Sequence, residues 1–94
     1  MKALPKFTQA AAHVLYARRA SCGWSQDELS ERSGIERTYI SRLERGIHMP
    51  SLRALVLFGE VYGVPASEIV REIEEAYTLG LGLLPCRPRC RRKS

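Results

Sequence analysis

The sequence predicts an all-α domain of five short helices, and three observations lead to that fold class. Apolar residues recur at helical spacing rather than in the alternation that is typical of strands. Glycines and prolines divide the chain into five segments of helical length. A chain of 94 residues suffices for one core of short helices but not for two independent domains. We therefore expect one compact domain over residues 6–80 and a basic C-terminal tail over residues 81–94.

The first two segments have recognisable ends. The first, about residues 6–22, offers an apolar stripe to a core and stops at Gly23. The second opens with a capping box, in which Ser25 can accept a hydrogen bond from the third amide of the helix while Glu28 reaches back to the N-cap. It stops at Gly34, a residue type that ends many helices.

The remaining three segments follow the same punctuation. The third covers residues 37–45 and is closed by Gly46, although its N-cap, Glu36, is an unusual residue for that position. The fourth begins at Ser51 and the fifth near Pro65. The apolar stripe of the fifth segment consists of Ile69, Ile73, Ala76 and Tyr77.

The third segment has two chemically different faces. At about 100° per residue, its arginine and hydroxyl side chains share one continuous arc of about 140°, and its apolar side chains lie opposite. The polar arc consists of Arg37, Thr38, Ser41, Arg42 and Arg45, and the apolar face of Tyr39, Ile40 and Leu43. Two short helices joined at Gly34, the second with such an arc, form a helix-turn-helix pattern, whose second helix fits the major groove of DNA.

Residues at fixed spacing extend this pattern over about residues 10–71: Arg19, Gly23-Trp24-Ser25-Gln26, Glu28-Leu29, Gly34, Ile40, Leu43-Glu44-Arg45-Gly46, Pro50-Ser51-Leu52 and Gly63-Val64. In these residues the sequence resembles the Cro/C1-type, or XRE-type, helix-turn-helix family of bacterial and phage regulators. The run from Arg37 to Ser41 also resembles the recognition helices of controller proteins from restriction–modification systems. The resemblance implies a lambda-repressor-like fold and a transcriptional regulator that binds double-stranded DNA.

The resemblance implies roles for individual side chains. It places Arg37, Thr38 and Arg42 against base edges, where Ser41 can assist; arginine can bind guanine with two hydrogen bonds, and the threonine methyl can contact thymine. We expect contacts to the DNA backbone from Ser25, Gln26, Tyr39, Arg45 and His48. Two of these backbone contacts have an alternative: Tyr39 could pack at the edge of the core, and His48 could be an exposed loop residue.

The resemblance also implies one structural ion pair. In the family, the residues that match Arg19 and Glu44 pair beneath the surface and tie the first helix to the end of the recognition helix. We therefore expect a partly buried pair here, with an architectural role and no part in base recognition.

The fifth segment predicts an interface. Its stripe of Ile69, Ile73, Ala76 and Tyr77, together with the leucines that follow it, is more apolar than a five-helix monomer is expected to cover. Part of it should be core, and we assign the remainder to a two-fold homodimer interface. A homodimer predicts a roughly palindromic operator with half-sites about one helical turn apart. The alternative is an antitoxin or interaction module that uses the stripe to bind a different protein.

Charge is distributed unevenly along the chain, whose net charge is +5. Residues 1–59 carry nine basic and five acidic side chains, whereas residues 60–84 carry one basic and five acidic. The last ten residues add five cations, which either contact phosphates nonspecifically or only help solubility. The N-terminal part can therefore face a polyanion while the glutamate-rich part turns away from it.

The cysteines and the remaining composition exclude several classes. Three cysteines without a signal-like apolar run do not form a disulfide framework, and the chain is predicted to be cytoplasmic, with no membrane partner. Cys86 and Cys90 cannot fill a tetrahedral zinc site within one chain, so we expect unpaired thiols, with an intermolecular disulfide as the alternative. No catalytic constellation or phosphate-cradling loop occurs, so no enzyme, metal, cofactor or small-molecule ligand is predicted.

Overall fold

The computed structural model describes residues 5–80, with side chains from residue 6 onward. Within this range the chain forms five helices and no strand, which confirms the predicted all-α fold class. The helices are α1 (Pro5–Cys22), α2 (Gln26–Ser33), α3 (Arg37–Glu44), α4 (Leu52–Tyr62) and α5 (Ala66–Leu79). The basic tail, with Cys86 and Cys90, lies outside the described residues.

Local hydrogen bonds explain where α2 and α4 begin. Ser25 Oγ accepts from the Glu28 amide at 3.0 Å, and Glu28 Oε1 accepts from the Ser25 amide at 2.8 Å, which completes the capping box. At the start of α4, Ser51 Oγ accepts from the Ala54 amide at 3.1 Å. Helix α3 has no side-chain hydrogen bond at its N-cap, Glu36, so its position depends on tertiary packing.

All five helices contribute to one core. Helix α5 packs on α1 and α4, while α3 packs on α1 and α2. The largest fully buried side chains are Phe58, Leu29, Ile40, Leu43 and Ile69. Since Ile40 and Leu43 both come from the apolar face of α3, burial of that face turns the opposite, polar arc outward.

The burial of α5 corrects the predicted dimer interface. Ile69, Ile73 and Ala76 retain 0%, 2% and 2% of their surface, because they fill the core of a single chain against α1 and α4. They are therefore not available to a second copy. Of the four residues of the predicted interface, only Tyr77 is exposed, and its ring lies edge-on to Phe7 with 5.0 Å between centroids. None of the helices formed by residues 5–80 is long and apolar enough to cross a bilayer.

Candidate nucleic-acid interface

Two serine hydroxyls hold the turn between α2 and α3. Gly34 ends α2 with φ of 79°, a left-handed conformation that glycine adopts at little cost. The buried Ser33 Oγ donates to the Leu29 carbonyl at 2.8 Å and accepts from the Ile35 amide at 3.1 Å. Ser30 Oγ donates to the Ile35 carbonyl at 2.6 Å. Both backbone groups of Ile35 are thus bonded, which sets the angle at which α3 leaves α2.

The polar arc of α3 is open to solvent in this fold. Arg37, Thr38, Arg42 and Arg45 are exposed, and Ser41 is half-buried. Arg42 and Arg45 have no carboxylate of residues 6–80 within 4 Å. Their guanidinium groups are therefore available to an anionic or hydrogen-bonding ligand at the outer surface of α3.

Arg37 differs from the other arginines of the arc because it has a partner on α2. Its Nε lies 3.1 Å from Asp27 Oδ1, and both side chains remain largely exposed. This contact involves only Nε, so the two terminal nitrogens of the guanidinium stay available as donors to another ligand. An exposed pair of this kind contributes about 0–1 kcal/mol to stability, so its main consequence is the orientation of Arg37.

Tyr39 connects α3 to the start of α4. Its Oη accepts a hydrogen bond from the Ser51 amide at 3.0 Å, and its ring is half-buried against the core. The hydroxyl hydrogen remains a donor that can reach a further acceptor. The ring of Tyr39 therefore packs at the edge of the core, and the contact of its hydroxyl with the DNA backbone stays a prediction.

Arg19 and Glu44 form a partly buried pair behind the polar arc. Arg19 Nε and Nη2 donate to the two carboxylate oxygens of Glu44 at 2.7 and 2.8 Å, and the Glu44 side chain is only 6% exposed. A third bond, from Arg19 Nη1 to the Trp24 carbonyl at 2.7 Å, attaches the loop before α2. The hydrogen bond with Glu44 raises the pKa of Arg19, against the opposing effect of burial. The pair joins α1 to the end of α3.

Gln26 takes part in the same network. Its Nε2 donates to Glu44 Oε1 at 3.1 Å, so the first residue of α2 is connected to the last residue of α3. The second amide hydrogen and the amide oxygen of Gln26 stay available to another ligand. Ser25 is exposed beside it as the N-cap of α2, and His48 is exposed in the loop after α3.

Comparison with known proteins assigns this arrangement to a family. A helix-turn-helix family model matches residues 15–69, which is more than half of the chain. The chain belongs to the Cro/C1-type helix-turn-helix family. This family consists of DNA-binding transcriptional regulators.

One curated relative of this Cro/C1-type chain is the Neisseria hypothetical transcription factor of Neisseria meningitidis serogroup B. It is 33% identical over 61 residues, which are 65% of the present chain. These residues are 58% of the relative, so the chain spans less than two thirds of that protein's length.

The structure adds residues to the helix-turn-helix site that sequence reasoning missed. Asp27 contacts Arg37 across the turn, and no periodic pattern connects residues on two different helices. The roles of Ser30 and Ser33 had a local signal, because hydroxyls just before a glycine at a helix end often bond to the following backbone. Among the described residues, no group of three His, Cys, Asp or Glu side chains could hold a metal ion.

Aromatic and cationic side chains stack on one another beside the helix-turn-helix unit. The Trp24 and Tyr62 rings are stacked with 5.8 Å between centroids, which joins the loop before α2 to the end of α4. The guanidinium of Arg32 lies 4.3 Å from the Trp24 ring centroid, and that of Arg18 lies 5.6 Å from the Tyr62 centroid. Burial in this stack raises the pKa of Tyr62, so its hydroxyl stays neutral. Trp24 thereby fixes the start of α2.

Proposed function

We propose that this chain is a sequence-specific transcriptional regulator that binds a roughly palindromic operator as a homodimer. Each copy inserts α3 into the major groove of one half-site. The observation that carries this proposal is the exposed polar arc of α3, backed by a buried face and by the Arg19–Glu44 network. We place its site of action in the cytoplasm, with double-stranded DNA as the partner.

Four side chains of the arc have the chemistry of base recognition. Arg37 and Arg42 can each donate two hydrogen bonds to guanine O6 and N7, the Thr38 methyl can contact thymine, and Ser41 can donate or accept. Asp27 supports this role for Arg37, because a guanidinium held at Nε presents its two terminal nitrogens together. We therefore assign base reading to these side chains: Arg37, Thr38, Ser41 and Arg42.

A second set of side chains is suited to positioning on the phosphates. Arg45 is an exposed cation at the end of α3, and the Tyr39 hydroxyl and the Gln26 amide keep donors available while their other bonds hold them in place. Ser25 and His48 are exposed at the two loops that flank the helix-turn-helix unit. Contacts of this kind set register and orientation but carry no sequence information.

Selection of bound fragments from a random DNA pool is the first test. A regulator of the proposed kind enriches one two-fold motif, whereas a nonspecific basic protein enriches none. Enrichment of a single half-site without a symmetric mate would contradict the dimeric part of the proposal while leaving sequence-specific binding intact.

Alanine variants then separate readers from positioners. Arg37→Ala, Thr38→Ala and Arg42→Ala should each cost about 1–3 kcal/mol on the selected site and relax preference at particular base pairs. Arg45→Ala should weaken binding to selected and scrambled DNA alike. Arg71, an exposed arginine paired with Glu75 on α5, provides the matched control, and Arg71→Ala should change neither affinity.

Binding titrations on selected and scrambled DNA measure this difference. If Arg37→Ala and Arg42→Ala lost the same affinity on both DNAs, the arc would be only an electrostatic patch. A further variant, Asp27→Asn, removes the charge that holds Arg37, and we expect it to reduce discrimination more than total affinity.

An antitoxin or interaction module stays the second candidate. It is favoured by the exposed apolar end of α5, where Tyr77 and Leu79 retain 42% and 68% of their surface. Purified alone, a regulator of the proposed kind sediments as a homodimer. A monomer that associates only when a different protein is added would favour the second candidate.

A further inference from the structure

The outward face of α4 is apolar although no part of residues 6–80 covers it. Leu52 retains 74% of its surface and Val56 retains 44%, and the two lie one turn apart on the same side of the helix. Two more exposed apolar residues, Ile47 and Met49, precede them in the loop after α3. Single exposed apolar residues are ordinary, but a group concentrated on one face indicates an interaction surface.

Two charged residues share that face. Arg53 and Glu60 are exposed and fall with Leu52 and Val56 within an arc of about 100° around α4. Neither has an oppositely charged partner within 4 Å among residues 6–80. They stand seven residues apart, about 10 Å along the axis, with the cation near one end of the helix and the anion near the other.

This order of charges is complementary to itself. When a second α4 is placed antiparallel about a two-fold axis near Val56, Arg53 of each copy faces Glu60 of the other, so the pair is made twice. Val56 of each copy then lies at the axis, with Leu52 about 7 Å from it along the helix, and both copies contribute the same surface, as an isologous interface requires. A parallel arrangement would instead place Arg53 against Arg53 and Glu60 against Glu60. The face therefore distinguishes an antiparallel second copy from other arrangements.

We propose that this α4 face, formed by Ile47, Met49, Leu52, Arg53, Val56 and Glu60, is the two-fold interface through which a second copy of this chain binds. The inference rests on the homodimer proposed above and replaces the buried α5 stripe as its interface. It also names Arg53 and Glu60 as the residues that set the antiparallel register.

The position of this face suits binding to adjacent half-sites. The Tyr39–Ser51 hydrogen bond joins the start of α4 directly to α3, so the proposed interface adjoins the recognition helix. Half-sites one helical turn apart require the two recognition helices to be about 34 Å apart. Each recognition helix then lies about 17 Å from the axis, which is less than the smallest extent of the domain, 37 × 24 × 22 Å.

Matched leucine variants test the location of the interface. Leu52→Glu and Leu79→Glu both place a carboxylate at an exposed leucine, the first on the α4 face and the second at the end of α5. In sedimentation of the full chain without DNA, Leu52→Glu should raise the dimer dissociation constant roughly a hundredfold. Leu79→Glu should leave it unchanged. A reversed result would move the interface to α5 and overturn the inference.

Charge exchange tests the antiparallel register. Arg53→Glu alone, or Glu60→Arg alone, turns both ion pairs into like-charge contacts and should weaken the homodimer roughly tenfold. An equimolar mixture of the two variants restores opposite charges at both contacts, so it should form a heterodimer of wild-type affinity. If the mixture associates as weakly as either variant alone, these residues do not face each other.

The measurements separate this inference from the proposed function. At concentrations well below the dimer dissociation constant, circular dichroism should show unchanged melting of the monomeric chain, because every substituted side chain is exposed. A chain that is monomeric at all concentrations, or a dimer indifferent to all of these variants, would overturn the α4 interface. Selective binding to single half-sites would still be measurable in either case. Failure of sequence-specific DNA binding, in turn, would leave the sedimentation results intact.

Discussion

Glu44 is a charged residue whose role depends on what surrounds it. Its carboxylate is bonded to Arg19 and to Gln26, and only 6% of its side chain is exposed. A buried pair of this kind need not add net stability, because desolvation opposes the attraction. Loss of one partner is costly all the same, since the other charge is then left buried without compensation.

We therefore expect Glu44→Ala to lower the free energy of unfolding by about 3–5 kcal/mol. Glu74→Ala is the control, because Glu74 is exposed on α5 and its change should be nearly silent. Thermal and denaturant unfolding followed by circular dichroism measure both. Equal losses for Glu44→Ala and Glu74→Ala would show that Glu44 contributes no more to the free energy of unfolding than an exposed glutamate does.

Gly59 is constrained in a different way, because packing at this position leaves no room for a side chain. It lies inside α4, where glycine is ordinarily about 1 kcal/mol less favourable than alanine. A Cβ at this position would lie 2.6 Å from the Val64 carbonyl oxygen and 3.2 Å from the Ala66 amide nitrogen. Both neighbours are backbone atoms, one in the loop before α5 and one at its first residue, so they cannot rotate away.

Gly59→Ala should therefore destabilise the domain by about 1–3 kcal/mol through overpacking, despite the higher helix propensity of alanine. Thr78→Ala, at an exposed position of α5, is the control and should stay within about 0.5 kcal/mol of wild type. Denaturant unfolding compares the two. A more stable Gly59→Ala variant would mean that α5 can shift away from α4 at little cost.

The turn between α2 and α3 behaves as one structural unit because Ser33 serves both sides of it. Ser33→Ala removes the acceptor for the buried Ile35 amide, which should cost about 1–3 kcal/mol. Ser67→Ala, at an exposed position near the start of α5, should be almost neutral. Because the turn sets the angle of α3, Ser33→Ala should also weaken DNA binding at temperatures where the variant is fully folded. Unchanged affinity would show that packing alone fixes α3.

The helices could be predicted from the sequence because their signals are local. The Ser25 capping box and the left-handed Gly34 depend only on residues within a few positions, and both occur where they were expected. The apolar stripe of α5 was equally clear, but a stripe does not reveal whether a core or a partner covers it. That depends on α1 and α4, so Ile73 was assigned to an interface although it is buried in the monomer.

The same distinction holds for the polar arc of α3. The outward arc of α3 follows from the periodicity of one helix, and its arginines are exposed as that pattern requires. Contacts between helices, such as Asp27 with Arg37, depend on an angle that no local pattern contains. The exposure of Leu52 and Val56 likewise could not be predicted from the sequence, because the pattern of α4 is apolar on more than one side.

The distribution of charge gives the chain a polarity that matters for long-range binding to DNA. Residues 1–59 carry a net charge of +4 and include α3, whereas residues 60–84 carry a net charge of −4. Within α5, Arg71 pairs with Glu75, while α1 uses Arg18 to neutralise Glu72 at 2.8 Å. The cations of the polar arc of α3 therefore lie in the positively charged part of the chain, and such an uneven distribution would favour approach of this part to a polyanion.

Spacing and salt dependence together test the dimeric arrangement on DNA. The proposed dimer presents two recognition helices to one side of the duplex, so half-site centres should lie about 10 base pairs apart. Insertion of about 5 base pairs between the half-sites turns the second one to the opposite side of the duplex. We expect this lengthened operator to bind one copy at a time. The slope of log affinity against log salt should then fall to roughly half, because each lost phosphate contact removes about 0.9 from the slope. Arg45→Ala on the unaltered operator should lower the slope by about one per half-site. Titrations at several salt concentrations measure both effects, and an unchanged slope and affinity on the lengthened operator would contradict simultaneous binding of the two half-sites.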